Sequence, residues 1–131
     1  MVNAIPSLVG FSEKNGQWFA EGISLRKLTQ DFGTPLYVYS KEAICSAYRA
    51  YDSACIRPDG TRRARIHYAM KANSNLAVLD ELKQLGAGFD LVSGGELARA
   101  LHIGADPKSL VFAGVGKSSA EIENALRVGV K

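Results

Sequence analysis

This sequence predicts an α/β fold built on a parallel sheet, and three observations carry that prediction. Three strand–helix pairs follow one another between Ile66 and Val128. Each helical pattern stops at a glycine, in turn Gly86, Gly104 and Gly129. Strand and helix alternate strictly, and parallel neighbours need a crossover that helices supply. On pattern alone, a doubly wound sheet and a barrel both remain open.

The elements read in order as follows. Residues 1–23 are irregular apart from a short strand at Trp18–Glu21, set between Gly16 and Gly22. Ser24 is placed to cap a short helix through Leu25, Leu28 and Phe32, which Gly33 ends. Thr34-Pro35 leads into Leu36-Tyr37-Val38-Tyr39, an aromatic and β-branched run expected to form a strand. Ser40 caps the next helix, whose apolar face is expected to hold Ile44, Ala47, Tyr48, Tyr51 and Cys55 before Pro58-Asp59-Gly60 closes it. The alternation then begins with strand Ile66–Met70 and helix Leu76–Leu85, on which Leu79 and Leu82 share a face. Strand Phe89–Val92 and helix Glu96–Ile103 follow, then strand Leu110–Ala113 and helix Ser118–Val128. A fourth strand is expected where the sequence stops at Val130-Lys131, so the chain reads as the leading part of a longer one.

Composition narrows the function classes. The 131 residues are 47% hydrophobic and 22% charged, proportions of a soluble globular domain. One modest core fits that length, whereas a complete (β/α)8 barrel needs about 250 residues. The net charge of +3 is mild. Its densest basic cluster, Arg57, Arg62, Arg63 and Arg65, has no interleaved aromatics and reads as a solvated loop, so no nucleic-acid partner is expected. No apolar stretch approaches the roughly 18 residues that span a bilayer. Pro6 and Ser7 interrupt the only apolar run near the N-terminus, so neither a membrane partner nor an export signal is expected. Cys45 and Cys55 lie on different faces of one expected helix, about 15 Å apart along its axis and too far to bridge. They read as buried and reduced, and the protein as cytoplasmic.

The chemistry centres on Lys71, at the C-terminal end of the first alternating strand, the edge where α/β active sites assemble. Period-two alternation puts Arg65, His67, Ala69 and Lys71 on one face and Ile66, Tyr68 and Met70 on the other. Small Ala69 beside Lys71 would leave room there for a ligand ring. Taken alone, a lysine at a strand end is a surface charge. His67 is expected to pack inside the fold, and His102, at a helix end, to be structural or solvated. No Ser-His-Asp set or metal-ligand spacing is present. Gly114-Val115-Gly116-Lys117-Ser118 is not a P-loop, because Val111 stands where its leading glycine is required, and it reads as a connecting turn.

The run Tyr68-Ala69-Met70-Lys71-Ala72-Asn73 resembles the cofactor-lysine signature of one family, with Leu76, Val78, Leu79, Leu82 and Gly86 at their spacings. That family is the alanine-racemase-like, or fold-type III, pyridoxal-phosphate decarboxylases acting on ornithine, arginine and diaminopimelate. Gly88-Phe89-Asp90-Leu91-Val92-Ser93-Gly94-Gly95-Glu96-Leu97 resembles its second barrel strand and the turn after it. Gly33–Tyr39 and Val111–Ser118 are similar to segments of its diaminopimelate-acting members. The resemblance runs from about Leu25 to Lys131. It implies the first three or so βα units of a (β/α)8 TIM-type barrel over residues 40–131, preceded by a segment of a β-domain over 1–39.

The same resemblance implies pyridoxal 5'-phosphate as cofactor, bound as an imine to Lys71. A free lysine amine has a pKa near 10.4, so it must be desolvated or set among positive charges to act as a nucleophile. Loss of the α-carboxylate leaves a carbanion for which the cofactor ring is the electron sink. Asp90 corresponds to the acidic residue at the next strand's end, and Glu96 to a second acidic position near the cofactor; each also has a plainer reading, as turn cap and as helix-dipole partner. The implied reaction converts meso-2,6-diaminopimelate to L-lysine. A decarboxylase of ornithine, arginine or lysine, a racemase, and a non-catalytic binding fragment are the alternatives. In the family, the groups that protonate and stack on the ring, grip the phosphate and complete the site across a homodimer lie beyond the position of Lys131. The chain by itself is therefore expected to be inactive.

Overall fold

A computed structural model of the protein describes residues 8–130. The irregular reading of the first seven residues, with Pro6 and Ser7, lies outside them, as does Lys131. The chain divides into two compact units, one ending at Ala47 and the other beginning at Tyr48.

The first unit holds β1 (Phe11–Lys14), β2 (Gln17–Ala20) and β3 (Ile23–Ser24), an antiparallel meander in that order. Only the middle strand was expected. The local reason for the other two is turn chemistry. Lys14 pairs with Gln17 across Asn15-Gly16, and Ala20 with Ile23 across Glu21-Gly22. Both residues of each loop have positive φ (51° and 74°, then 47° and 87°), which is the twist that suits two-residue hairpins. Asn-Gly is a strong hairpin signal, and it stood in the sequence. Helix α1 (Leu25–Phe32) starts after Ser24 and ends at Gly33, as expected, although the Ser24 side chain makes no capping bond. The strand expected at Leu36–Tyr39 does not form; Tyr37 is 87% exposed, and no ladder partner lies beside it among the described residues. Strand propensity reflects packing on a pleated neighbour, and here there is none.

Helix α2 (Lys41–Ala54) begins at Ser40, whose Oγ accepts from Ala43 N at 3.0 Å. A second cap comes from far along the chain. Glu21 Oε1 accepts from Ser40 Oγ at 2.6 Å and from Glu42 N at 2.7 Å. Backbone packs closely there, since a Cβ at Gly10 would overlap the Ser40 hydroxyl. The Ser40 hydroxyl, then the Glu42 amide, hold the Glu21 carboxyl below its ordinary value of 4.5. The folded state thus favours ionised Glu21. Its stabilisation is full above about pH 4.5 and is lost as pH falls through the depressed folded value. Acid titration of wild type and Glu21→Gln checks this: the variant should be less stable at neutral pH, and the gap should close below pH 4.5. Parallel curves would refute the linkage.

The buried face of α2 is not the expected one. Cys45 and Tyr48 are buried, while Ala47 is exposed and Tyr51 is 72% exposed. Three- and four-residue ladders drawn through Ile44 and through Cys45 both reach Tyr48, so periodicity did not separate two stripes about 100° apart. Cys55 lies just past the helix; both cysteines are free, Cys45 buried and Cys55 half-buried. The basic cluster is a solvated loop, as expected. Arg62 pairs with Asp52 through two contacts, at 2.6 and 3.1 Å, and Arg57, Arg63 and Arg65 are exposed.

The second unit contains β4 (His67–Ala69), β5 (Gly88–Leu91) and β6 (Leu110–Phe112), hydrogen-bonded side by side and parallel. Each strand is followed by a helix: α3 (Leu76–Gln84), α4 (Gly94–His102) and α5 (Ser119–Val128). This is the predicted βα series. Leu79, Phe89, Leu91, Leu97 and Leu110 are wholly buried and form the core between sheet and helices. Side-chain oxygens start all three helices, from Asn75, Ser93 and Ser118. Among the described residues, no helix is long and apolar enough to cross a membrane, and no metal-binding cluster occurs.

Candidate active site

Strand β4 ends at Ala69, and the chain enters a single 3-10 turn, Met70–Ala72, with Lys71 at its centre. This corrects the expectation that Lys71 continues the strand's alternation. Side chains alternate only while the backbone is extended, so a shared face with His67 and Ala69 does not follow. The turn is held from both sides. Met70 is wholly buried, and the turn packs against β5. Tyr68 Oη donates to the Asn73 carbonyl at 3.2 Å, and Arg99 Nη1 donates to the Ser74 carbonyl at 3.2 Å. Lys71 itself is exposed. The result is a primary amine on a short, anchored turn at the sheet's C-terminal edge.

Asp90 is on β5, whose Ala69 and Val111 partners flank it in register. Its neighbours Phe89 and Leu91 point to the opposite face and are wholly buried, leaving Asp90 as the half-buried polar group of the strand. The parallel register thus sets the Asp90 carboxylate one strand over from the residue two before Lys71.

Glu96 is the third residue of α4. Its Oε2 accepts from Val92 N at 2.7 Å, while Ser93 Oγ accepts from Glu96 N at 3.2 Å. The side chain therefore folds back on the turn that follows β5. Carboxylates occupy the start of α4, where a helix N-terminus favours negative charge. The fold thus brings Lys71, Asp90 and Glu96 to one edge of one sheet.

The other candidates have plainer settings. His67 packs its ring on Gly88, where a Cβ would lie 2.7 Å from Nδ1. That nitrogen is buried without a hydrogen-bond partner among the described residues. His102 is exposed at the end of α4. Lys117 donates to the Ala113 and Gly114 carbonyls at 2.9 and 2.7 Å and lies over the Phe112 ring, so the Gly114–Ser118 segment is a self-satisfied connecting turn. Sequence reasoning missed Glu121, whose carboxylate joins the starts of α4 and α5. Its capping-box spacing with Ser118 was legible, but the reach to Gly94 was not.

Comparison with known proteins identifies the family. The family model described as pyridoxal-dependent decarboxylase, pyridoxal binding domain, matches residues 41–131. The chain is 48% identical over 120 residues to a diaminopimelate decarboxylase of Pseudomonas aeruginosa, covering 92% of this chain and 28% of that protein. It is 46% identical over 119 residues to one of Vibrio cholerae, covering 91% and 28%. Among solved structures, the diaminopimelate decarboxylase of M. jannaschii in co-complex with L-lysine superposes with a TM-score of 0.85 at 38% identity, covering 92% of this chain and 28% of that one. A lysine/ornithine decarboxylase of Vibrio vulnificus complexed with putrescine gives 0.71 at 28% identity, covering 81% and 28%. The chain thus spans about 28% of the length of the curated relatives. Its fold is the N-terminal α/β part of TIM-barrel decarboxylases. The family model's match over residues 41–131, most of the chain, means that the chain belongs to the pyridoxal-dependent decarboxylases.

Proposed function

We propose that this protein, at full length, decarboxylates meso-2,6-diaminopimelate to L-lysine with pyridoxal 5'-phosphate, and that this chain supplies the first part of the site. The observation that carries the substrate is the 48% identity to a diaminopimelate decarboxylase over 92% of the chain, against 28% to a lysine/ornithine decarboxylase.

The donor set fits the cofactor. Covalent attachment to an aldehyde needs a primary amine, and Lys71 presents one on an anchored turn. Lys71 is exposed among the described residues, so the desolvation such a nucleophile needs would come from the bound cofactor and the rest of the full-length protein. A carboxylate nearby favours a protonated nitrogen at the attachment point, and Asp90 is one strand away. When bound, the cofactor supplies an electron sink for the carbanion left by decarboxylation. Lys71 Nζ would hold the cofactor and, at the same edge, move a proton to or from the substrate. Glu96 braces the turn between Asp90 and α4 while adding negative charge beside the site.

Residues 1–39 are assigned to a β-domain segment and 40–131 to the barrel, a division supported by the family match starting at residue 41. A cytoplasmic homodimer completes the reading, and two free cysteines fit a reducing compartment. The test is substrate profiling of full-length protein loaded with pyridoxal 5'-phosphate. Carbon dioxide release from meso-diaminopimelate, with ornithine and arginine inert, is expected. Turnover of ornithine or arginine instead would overturn the substrate assignment.

A further inference from the structure

We propose that Glu121 is a positioning residue of the cofactor edge, its carboxylate tying the turn after β5 to the turn after β6. The inference rests on the reading that Asp90 and Glu96 border the cofactor. The plainer alternative is a helix cap, and one oxygen is enough for that. Oε2 accepts from Ser118 N and Ser118 Oγ, both at 2.9 Å, and the Ser118 hydroxyl in turn accepts from Glu121 N at 3.3 Å. The other oxygen does something that capping α5 does not require. Oε1 accepts from Gly94 N, the first amide of α4, at 2.7 Å and across 27 residues of sequence.

The approach is close. A Cβ at Gly94 would stand 3.1 Å from both Cγ and Oε1 of Glu121, so glycine admits the carboxylate there. Three amides of the β5–α4 turn near Asp90 are engaged in the same small network. Val92 N is held by Glu96, Glu96 N by Ser93, and Gly94 N by Glu121. The amides of Ser118, then Gly94, keep the Glu121 carboxyl below its ordinary value of 4.5, so the tie is ionised at neutral pH. Glu121 therefore touches neither cofactor nor substrate in this reading; it sets where the Asp90–Glu96 turn stands.

Aspartate at 121 keeps the charge and the local cap, but lacks the methylene needed to reach both turns. Glu121→Asp, Gly94→Ala and Ser118→Ala should be made in the full-length protein. Amide hydrogen exchange is followed without cofactor, and affinity is measured by titration with pyridoxal 5'-phosphate. Glu121→Asp is expected to speed exchange at residues 92–96 and to raise the cofactor Kd about tenfold, the size of one lost charge-assisted hydrogen bond. Gly94→Ala should act in the same direction from the other partner. Ser118→Ala should affect only the start of α5. If Glu121→Asp leaves both exchange at 92–96 and Kd at wild-type values, or moves exchange without moving Kd, the positioning role is overturned. Failure of the underlying site reading would show elsewhere, as lysine-bound cofactor absorbance and turnover that survive Lys71→Ala.

Discussion

Replacing Lys71 with alanine in the full-length protein is expected to abolish the visible-edge absorbance of lysine-bound pyridoxal 5'-phosphate and to lower decarboxylation by roughly three or more orders of magnitude, the scale on which enzymes lose a nucleophile. Lys71→Arg should fail almost as completely. A guanidinium keeps the positive charge yet does not deprotonate, so the pair separates covalent attachment from electrostatics. Neither change should unfold the protein. Lys71 is exposed, whereas its turn is anchored by the buried Met70 beside it, and surface substitutions of this kind shift stability by about 0.5 kcal/mol or less. Retention of both absorbance and turnover in Lys71→Ala would mean that another amine carries the cofactor.

Phe89→Ala is expected to produce the largest loss of stability, about 3–5 kcal/mol, from lost transfer energy and the cavity left behind. Phe89 is 0% exposed on β5, the strand bonded on both sides, where collapse into the vacated volume is hardest. Chemical denaturation of the full-length protein should show a lowered midpoint with an unchanged slope. Asp90 follows Phe89 directly, so a repacked β5 should also weaken cofactor binding. A loss below about 1 kcal/mol would show that the site relaxes, contrary to the close packing expected of a buried centre.

Much of the second unit was legible because its signals are local. Helix starts at Asn75, Ser93 and Ser118, and glycines at 86, 104 and 129, act within one turn of the residues they punctuate. The Asn15-Gly16 hairpin belonged to the same class, and its signal was present. Leu36–Tyr39 failed for the opposite reason. Its composition favours a strand, but a strand exists only beside another one. The buried side of α2 was likewise undetermined, because two overlapping apolar ladders differ only in what covers them.

Lys71 is singled out in the sequence by its neighbours, Tyr68 to Asn73, which resemble a cofactor-lysine signature at the end of an expected strand. Tertiary structure decided its setting. The strand stops two residues earlier, and a 3-10 turn pinned through Met70 and Tyr68 presents the amine. Parallel pairing of β4 with β5 puts Asp90 beside Ala69, and packing of α5 against α4 lets Glu121 reach Gly94. Capping and turn chemistry are short-range, so sequence determined the elements and their ends. Which carboxylate meets which amide depends on strand register and helix packing across tens of residues, and those are properties of the folded chain.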